Sequence, residues 1–260
     1  MKKNAFKLLL AALVLSYSVS QAEAHFGMLI PDKNVVNQND RKVHLDIAFT
    51  HPFEGKGMNM EKPKQFFVDF EGKKNDLLGS LKPGTAITKQ KAWQATYDVK
   101  RPGTYIFADE PAPYWEPAED KYIIHYTKTV IAAFGDESDW DRPVSLKTEI
   151  IPLLRPFADY AGNTFVGKVL LDGKPVPGAE VEVELYNKGQ KYEAPTEIHV
   201  TQVVKADDEG IFSFTCPVAG WWGFAALNDA DFKIKGPDGT EKDVELGAIL
   251  WVMFDNYETK

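Results

Sequence analysis

The chain has 260 residues, 44% of them hydrophobic, a formal net charge of −8 and a single cysteine, Cys216. That length is enough for one large domain or two small ones, and the acidity makes nucleic acid and anionic membrane poor partners. One cysteine excludes an internal disulfide, a zinc ribbon and an iron–sulfur cluster held by one chain, so stability must come from the core.

The chain opens on Lys2, Lys3 and Lys7, continues through an apolar stretch from Leu8 to Leu15, and reaches Ala22-Glu23-Ala24. A basic start, a short apolar segment and a small-x-small site are the parts of a cleavable export signal. The stretch is too short to span a bilayer, which needs about 20 apolar residues, and the later run Leu246 to Phe254 is also too brief. The expectation is a signal over residues 1–24 and a soluble periplasmic protein that begins at His25. Losing three lysines and Glu23 would move the formal charge from −8 to −10.

After that point almost every regular segment reads as strand. Val43, Leu45, Ile47 and Phe49 share one face of the first. Similar runs follow at Gln65–Phe70, Trp93–Val99, Thr104–Ala108, Lys121–Phe134 and Val144–Ile151, with a turn at Arg101-Pro102-Gly103. No window holds a 3.6-residue apolar period. Short strands with frequent turns predict an all-β fold of antiparallel sandwiches.

Pro152 to Asn163, with two prolines, a glycine and an asparagine, predicts a boundary, giving domains over 25–155 and 163–256. In the second, the strand Thr164–Leu171 is followed by the turn Asp172–Gly178 and by Ala179–Leu185, whose acidic positions alternate with apolar ones. Asp207-Asp-Glu-Gly-Ile-Phe212 is a second turn and strand. These two units resemble those of transthyretin-like and carboxypeptidase-regulatory-like β-sandwiches. Cys216 ends the alternating segment Ile211–Cys216, where a buried inert thiol is expected.

The residue with the most chemistry is His25. Cleavage after Ala24 gives it a free α-amine beside its own imidazole, and the two nitrogens can close one chelate ring on a metal ion. Their ordinary pKa values, about 7.7–8.0 and about 6.5, let both bind a borderline cation near neutral pH. Copper, nickel and zinc suit such donors. His51 ends its strand and opens a polar loop, as a second ligand or an ordinary loop residue. Glu54 nearby is a second-sphere acceptor or a solvated charge. His125, inside Lys121–Lys128, is sheltered and needs a partner: a metal, a tyrosine or a backbone carbonyl. Trp115, in the stiff loop Glu110–Asp120, could shield a bound ion or serve packing. His44 and His199 read as structural or solvent-facing, and Met58 and Met60 as a weak soft-metal pattern.

No Gly-x-Ser-x-Gly elbow, His-Glu-x-x-His helix, phosphate loop or dinucleotide fingerprint is present, and no enzymatic activity is expected. Several segments, among them Ala24-His-Phe-Gly-Met-Leu-Ile-Pro31, His51-Pro-Phe-Glu54, Pro113-Tyr-Trp-Glu-Pro-Ala-Glu-Asp120, Ile124-His-Tyr-Thr-Lys128 and Ala219–Leu227, resemble the periplasmic accessory proteins of energy-coupling-factor nickel or cobalt uptake transporters, the nickel uptake transporter family. The resemblance implies a carrier of Ni²⁺, or Co²⁺, that serves a membrane metal uptake transporter. The ligand set His25, His51 and His125 rests on chemistry alone. Two other readings stay open: a Cu²⁺ carrier or histidine-brace copper enzyme, and a metal-free interaction module.

Overall fold

The computed structural model describes residues 24–259, so the expected signal, apart from Ala24, lies outside the described residues. The chain is all-β. Its main strands are β1 (Phe26–Pro31), β2 (Lys42–His51), β3 (Gln65–Phe70), β4 (Ala92–Asp98), β5 (Gly103–Glu110), β6 (Tyr114–Glu116), β7 (Lys121–Ala133) and β8 (Thr148–Pro152) in the first part. The second part adds β9 (Thr164–Leu171), β10 (Glu180–Leu185), β11 (Gln202–Lys205), β12 (Ile211–Thr215), β13 (Gly220–Asp229) and β14 (Val244–Asp255). Among the described residues the helical segments are two short 3₁₀ turns, as the missing 3.6-residue period requires.

A central sheet runs β11-β10-β13-β14-β7-β5-β3, and it carries a smaller sheet on each face. One outer sheet contains β1, β2 and β4, and the other contains β8, β9 and β12. Alternation in β14 shows how the layers form. Leu246, Ala248, Leu250, Val252 and Phe254 pack toward the β8-β9-β12 side, while Ile249 and Trp251 join Phe26, Met28 and Ala48 on the other. A strand covered on both faces has no polar row to display, which is why Leu246–Phe254 reads as a continuous apolar run.

The sandwich class expected from the sequence is the one found. Alternation does not disclose that the two halves share a sheet: β7 of the first half pairs in parallel with β14 of the second, from Tyr122↔Val244 to Thr129↔Trp251. Nor does it assign Thr148–Pro152, which pairs with β9 and so belongs by hydrogen bonding with the second half, ahead of the boundary read at 155. A pairing partner far along the chain leaves no mark on a strand's own period. Local signals fare better. Asp207 Oδ1 accepts hydrogen bonds from the backbone N–H groups of Glu209 and Ile211, and Gly210 takes φ +75°, as the turn sequence implied. Cys216 is fully buried, and burial pushes its thiol up, away from the reactive thiolate.

The buried charges are less ordinary. Lys128 Nζ meets Glu149 Oε2 at 2.8 Å with side-chain exposures of 1% and 2%. The carboxylate also accepts from the backbone N–H groups of Val144 and Ser145. Glu184 is held by the Thr201 hydroxyl and the Phe53 N–H, yet burial outweighs both and raises its carboxyl to about 8; Glu182, half-buried and near Glu245, rises to about 7. A carboxyl with a folded-state pKa above its unfolded value of about 4.3 binds more protons in the native state. Its contribution is complete below about 4.3 and lost as pH rises through the folded value. Conformational stability measured by urea unfolding is therefore expected to fall between pH 5 and pH 8.5, and Glu184→Gln to flatten that slope. An unchanged slope in the variant would refute the assignment.

Candidate metal centre

The candidate site lies where the first outer sheet meets the edge of β6. β1 and β2 are antiparallel with Phe26 opposite Thr50, so the next rung places His25 opposite His51. The two rings lie 4.6 Å apart, centroid to centroid, tilted by 49°. Gly27 seats β1 on the central sheet: a Cβ there would meet the Thr127 hydroxyl oxygen at 2.2 Å, so a larger residue would push His25 away. Phe49 stacks on His25 at 5.5 Å, and Tyr114 approaches it at 6.2 Å.

Polar contacts among the described residues orient the pair. His25 Nε2 lies 3.1 Å from Glu116 Oε2, with both side chains about nine-tenths buried at 12% and 11% exposure. A neutral imidazole that donates from Nε2 to a carboxylate carries its lone pair on Nδ1. His51 Nδ1 lies 2.9 Å from the carbonyl oxygen of Ala24. A carbonyl only accepts, so in the described chain His51 carries a proton on Nδ1. Glu116 is itself fixed, because Oε1 accepts the Ala118 N–H at 2.9 Å.

The structure brings His25 and His51 together; His125, expected with them, is separated from His25 by the Phe49 ring, which meets each at 5.5 Å, and it turns its Nε2 to another partner. His125 is 1% exposed on β7, and its Nε2 faces Glu245 Oε1 of β14 at 3.4 Å. The parallel pairing of β7 with β14 causes this, and Gly247 makes room, since a Cβ there would lie 2.3 Å from His125 Cδ2. Burial by itself would raise Glu245; His125 and Lys121 together outweigh it and hold the carboxyl down at about 2. Glu54 points to Lys56, with Oε1 3.5 Å from Nζ, and its carbonyl accepts from Gln190. Trp115 packs on Tyr122 at 5.0 Å, with the Lys242 ammonium 5.6 Å from its ring centre. One step along β6 turns a side chain to the opposite side, and Glu116, not Trp115, meets His25. The sequence displayed Glu116 as one of four acids in a stiff loop, with no signal to single it out. His44 and His199, read as structural, bond Thr96 and Thr196.

Among the described residues no group of three or more His, Cys, Asp or Glu side chains is placed to hold a metal ion. No helix among them is long and apolar enough to cross a membrane.

The fold and this corner define a class: a layered all-β sandwich protein with a paired histidine site where its first described strand begins. Residues 22–230 match the family described as "Domain of unknown function (DUF4198)", and the chain belongs to that family. No curated protein matches the sequence. Solved structures with similarity include dimeric latent PorU from Porphyromonas gingivalis, at 10% identity and a TM-score of 0.24 over 86% of this chain and 20% of that one. The major pilin subunit BcpA of Bacillus cereus gives 11% identity and a TM-score of 0.21 over 89% and 66%. A putative carbohydrate binding protein from Bacteroides uniformis gives 12% and 0.25 over 89% and 99%.

Proposed function

We propose that the protein is an exported carrier of a divalent transition-metal ion, Ni²⁺ before Co²⁺, which serves a membrane metal uptake transporter from the periplasm. The ion is held at the start of the processed chain by the His25 α-amine, the His25 Nδ1 and the His51 Nδ1. The supporting observation is the hydrogen bond from His51 Nδ1 to the Ala24 carbonyl. That oxygen is one C=O and one C–N bond from the His25 nitrogen, so His51 Nδ1 lies within about 5.5 Å of that nitrogen. Two nitrogens that share an ion with metal–nitrogen bonds of about 2.0–2.1 Å are at most about 4.2 Å apart.

Cleavage after Ala24 does two things at once. It turns the His25 amide into an amine that can donate a lone pair, and it removes the acceptor that keeps the proton on His51 Nδ1. The space of the departed carbonyl lies between the donors. Glu116 on His25 Nε2 supplies the outer hydrogen bond that fixes a metal-binding imidazole in the right tautomer. Two imidazoles are a donor short of a three-ligand centre, and the α-amine supplies the third only after processing.

The test is thermal unfolding of the chain that begins at His25, with and without NiCl₂. A ligand selective for the native state stabilises it by about 2.7 kcal/mol at 100 times its dissociation constant. The processed chain is expected to gain a clear upward shift in melting temperature, and the same chain with Ala24 retained to gain little. Equal shifts, or none in either protein, would sink the reading. Cu²⁺, which stands above Ni²⁺ for nitrogen donors, is the competing cargo. A stabilised complex with Cu²⁺ alone would transfer the assignment to copper.

A further inference from the structure

The turn that follows His51 leaves the first half of the chain and is fastened to the second. The ladder of β1 with β2 runs to Phe26↔Thr50 and stops one residue short of His51. On its other side His51 pairs with Lys56 of the short strand Lys56–Met58, and its carbonyl accepts the Gly55 N–H at 3.0 Å. Gly55 closes this hairpin at φ +69°, a conformation that favours glycine.

Each of the three residues after His51 is held by the second half. The Pro52 carbonyl accepts the Asn187 N–H at 3.3 Å, the Phe53 N–H donates to Glu184 Oε2 at 3.3 Å, and the Glu54 carbonyl accepts from Gln190 Nε2 at 3.1 Å. Glu184, on β10, is 1% exposed, and its other oxygen accepts the Thr201 hydroxyl, so both oxygens are tied. The Phe53 ring lies with Leu185 and Trp222 in the wall of a groove of the second half, packed on the core to which those two belong. An apolar side chain at position 184 would suit that core and leave the Phe53 N–H without this acceptor.

We infer that the second half positions the histidine pair, with Glu184 as the main positioning residue. By fixing the turn through Phe53 it holds the His51 ring 4.6 Å from that of His25. A ligand set ordered before the ion arrives binds it more tightly, because the ion does not have to order the loop. The purpose of this arrangement rests on the metal-carrier reading, while the placement of His51 itself is testable in metal-free protein.

The experiment compares Glu184→Leu, which removes the acceptor, with Glu184→Gln, which keeps one oxygen in its place. In metal-free protein that retains Ala24, the His51 Nδ1–H resonance, read by ¹H–¹⁵N correlation, is expected to be sharp in the wild type and in Glu184→Gln. In Glu184→Leu it should shift and broaden as the bond to the Ala24 carbonyl loosens. In the processed chain, Ni²⁺ affinity is expected to fall about tenfold with Glu184→Leu, the lower end of the range for outer partners of a metal centre, and to stay within a few-fold with Glu184→Gln. A carboxyl with a merely structural role would change the melting temperature and move neither readout. If Glu184→Leu does not fold, Gln190→Ala, on an exposed side chain, decides in its place and should move the His51 resonance in the same direction by a smaller amount. An unmoved His51 resonance, or equal effects of Glu184→Leu and Glu184→Gln, would overturn the positioning role and leave the metal reading standing. A wild-type chain that binds no Ni²⁺ would end the metal reading, and the His51 resonance would still decide the positioning role.

Discussion

Replacing His25 by Ala in the processed chain is expected to weaken Ni²⁺ binding, measured by calorimetric titration, by about 100-fold or more. The scale follows from the outer partners of metal centres, whose loss typically costs about 10–100-fold, so losing a direct donor should cost at least the upper end of that range. Glu116→Gln, which keeps the shape of the carboxylate partner and removes its charge, should fall within that window. Acetylating the α-amine should match His25→Ala, because either change opens the chelate. Affinity should also fall as pH drops, because protons compete with the ion for the amine and imidazole nitrogens. His125→Leu, by contrast, should leave Ni²⁺ affinity within a few-fold of the wild type, since the Nε2 of that ring is turned to Glu245. Unchanged affinity after both His25→Ala and acetylation would remove the basis of the assignment.

Lys128→Met should produce the largest loss of stability. It leaves Glu149 buried at 2% exposure with two backbone N–H donors and no cation. Breaking a buried pair by removing one partner typically costs about 3–5 kcal/mol. For a protein of this size each kcal/mol is worth about 2–4 °C, so a fall in melting temperature of roughly 10 °C is expected. Lys128→Met with Glu149→Gln should recover much of the loss, because the uncompensated charge goes while the amide oxygen can still accept from Val144 or Ser145. A single variant within about 1 kcal/mol of the wild type would show that Glu149 is readily neutralised in place.

The sequence by itself determined what a strand or turn can specify locally. The alternation of Val43, Leu45, Ile47 and Phe49, the turn residues Asp207 and Gly210, and the buried Cys216 were legible because each rests on neighbours a few positions away. His25 and His51 stood out by chemistry and by their places at strand ends. Their meeting is a matter of register, set by a ladder that joins Phe26 to Thr50, and a strand's own period carries no record of its partner. The same reason hid Glu116 among the acids of its loop, turned His125 Nε2 to Glu245, matched Lys128 with Glu149, and concealed that β7 and β14 fuse the two halves into one sheet. Hydrophobic periodicity decides which face of a strand is buried; which strand lies beside it is decided when distant segments compete for the same hydrogen-bonding edge, and only the tertiary structure records the outcome.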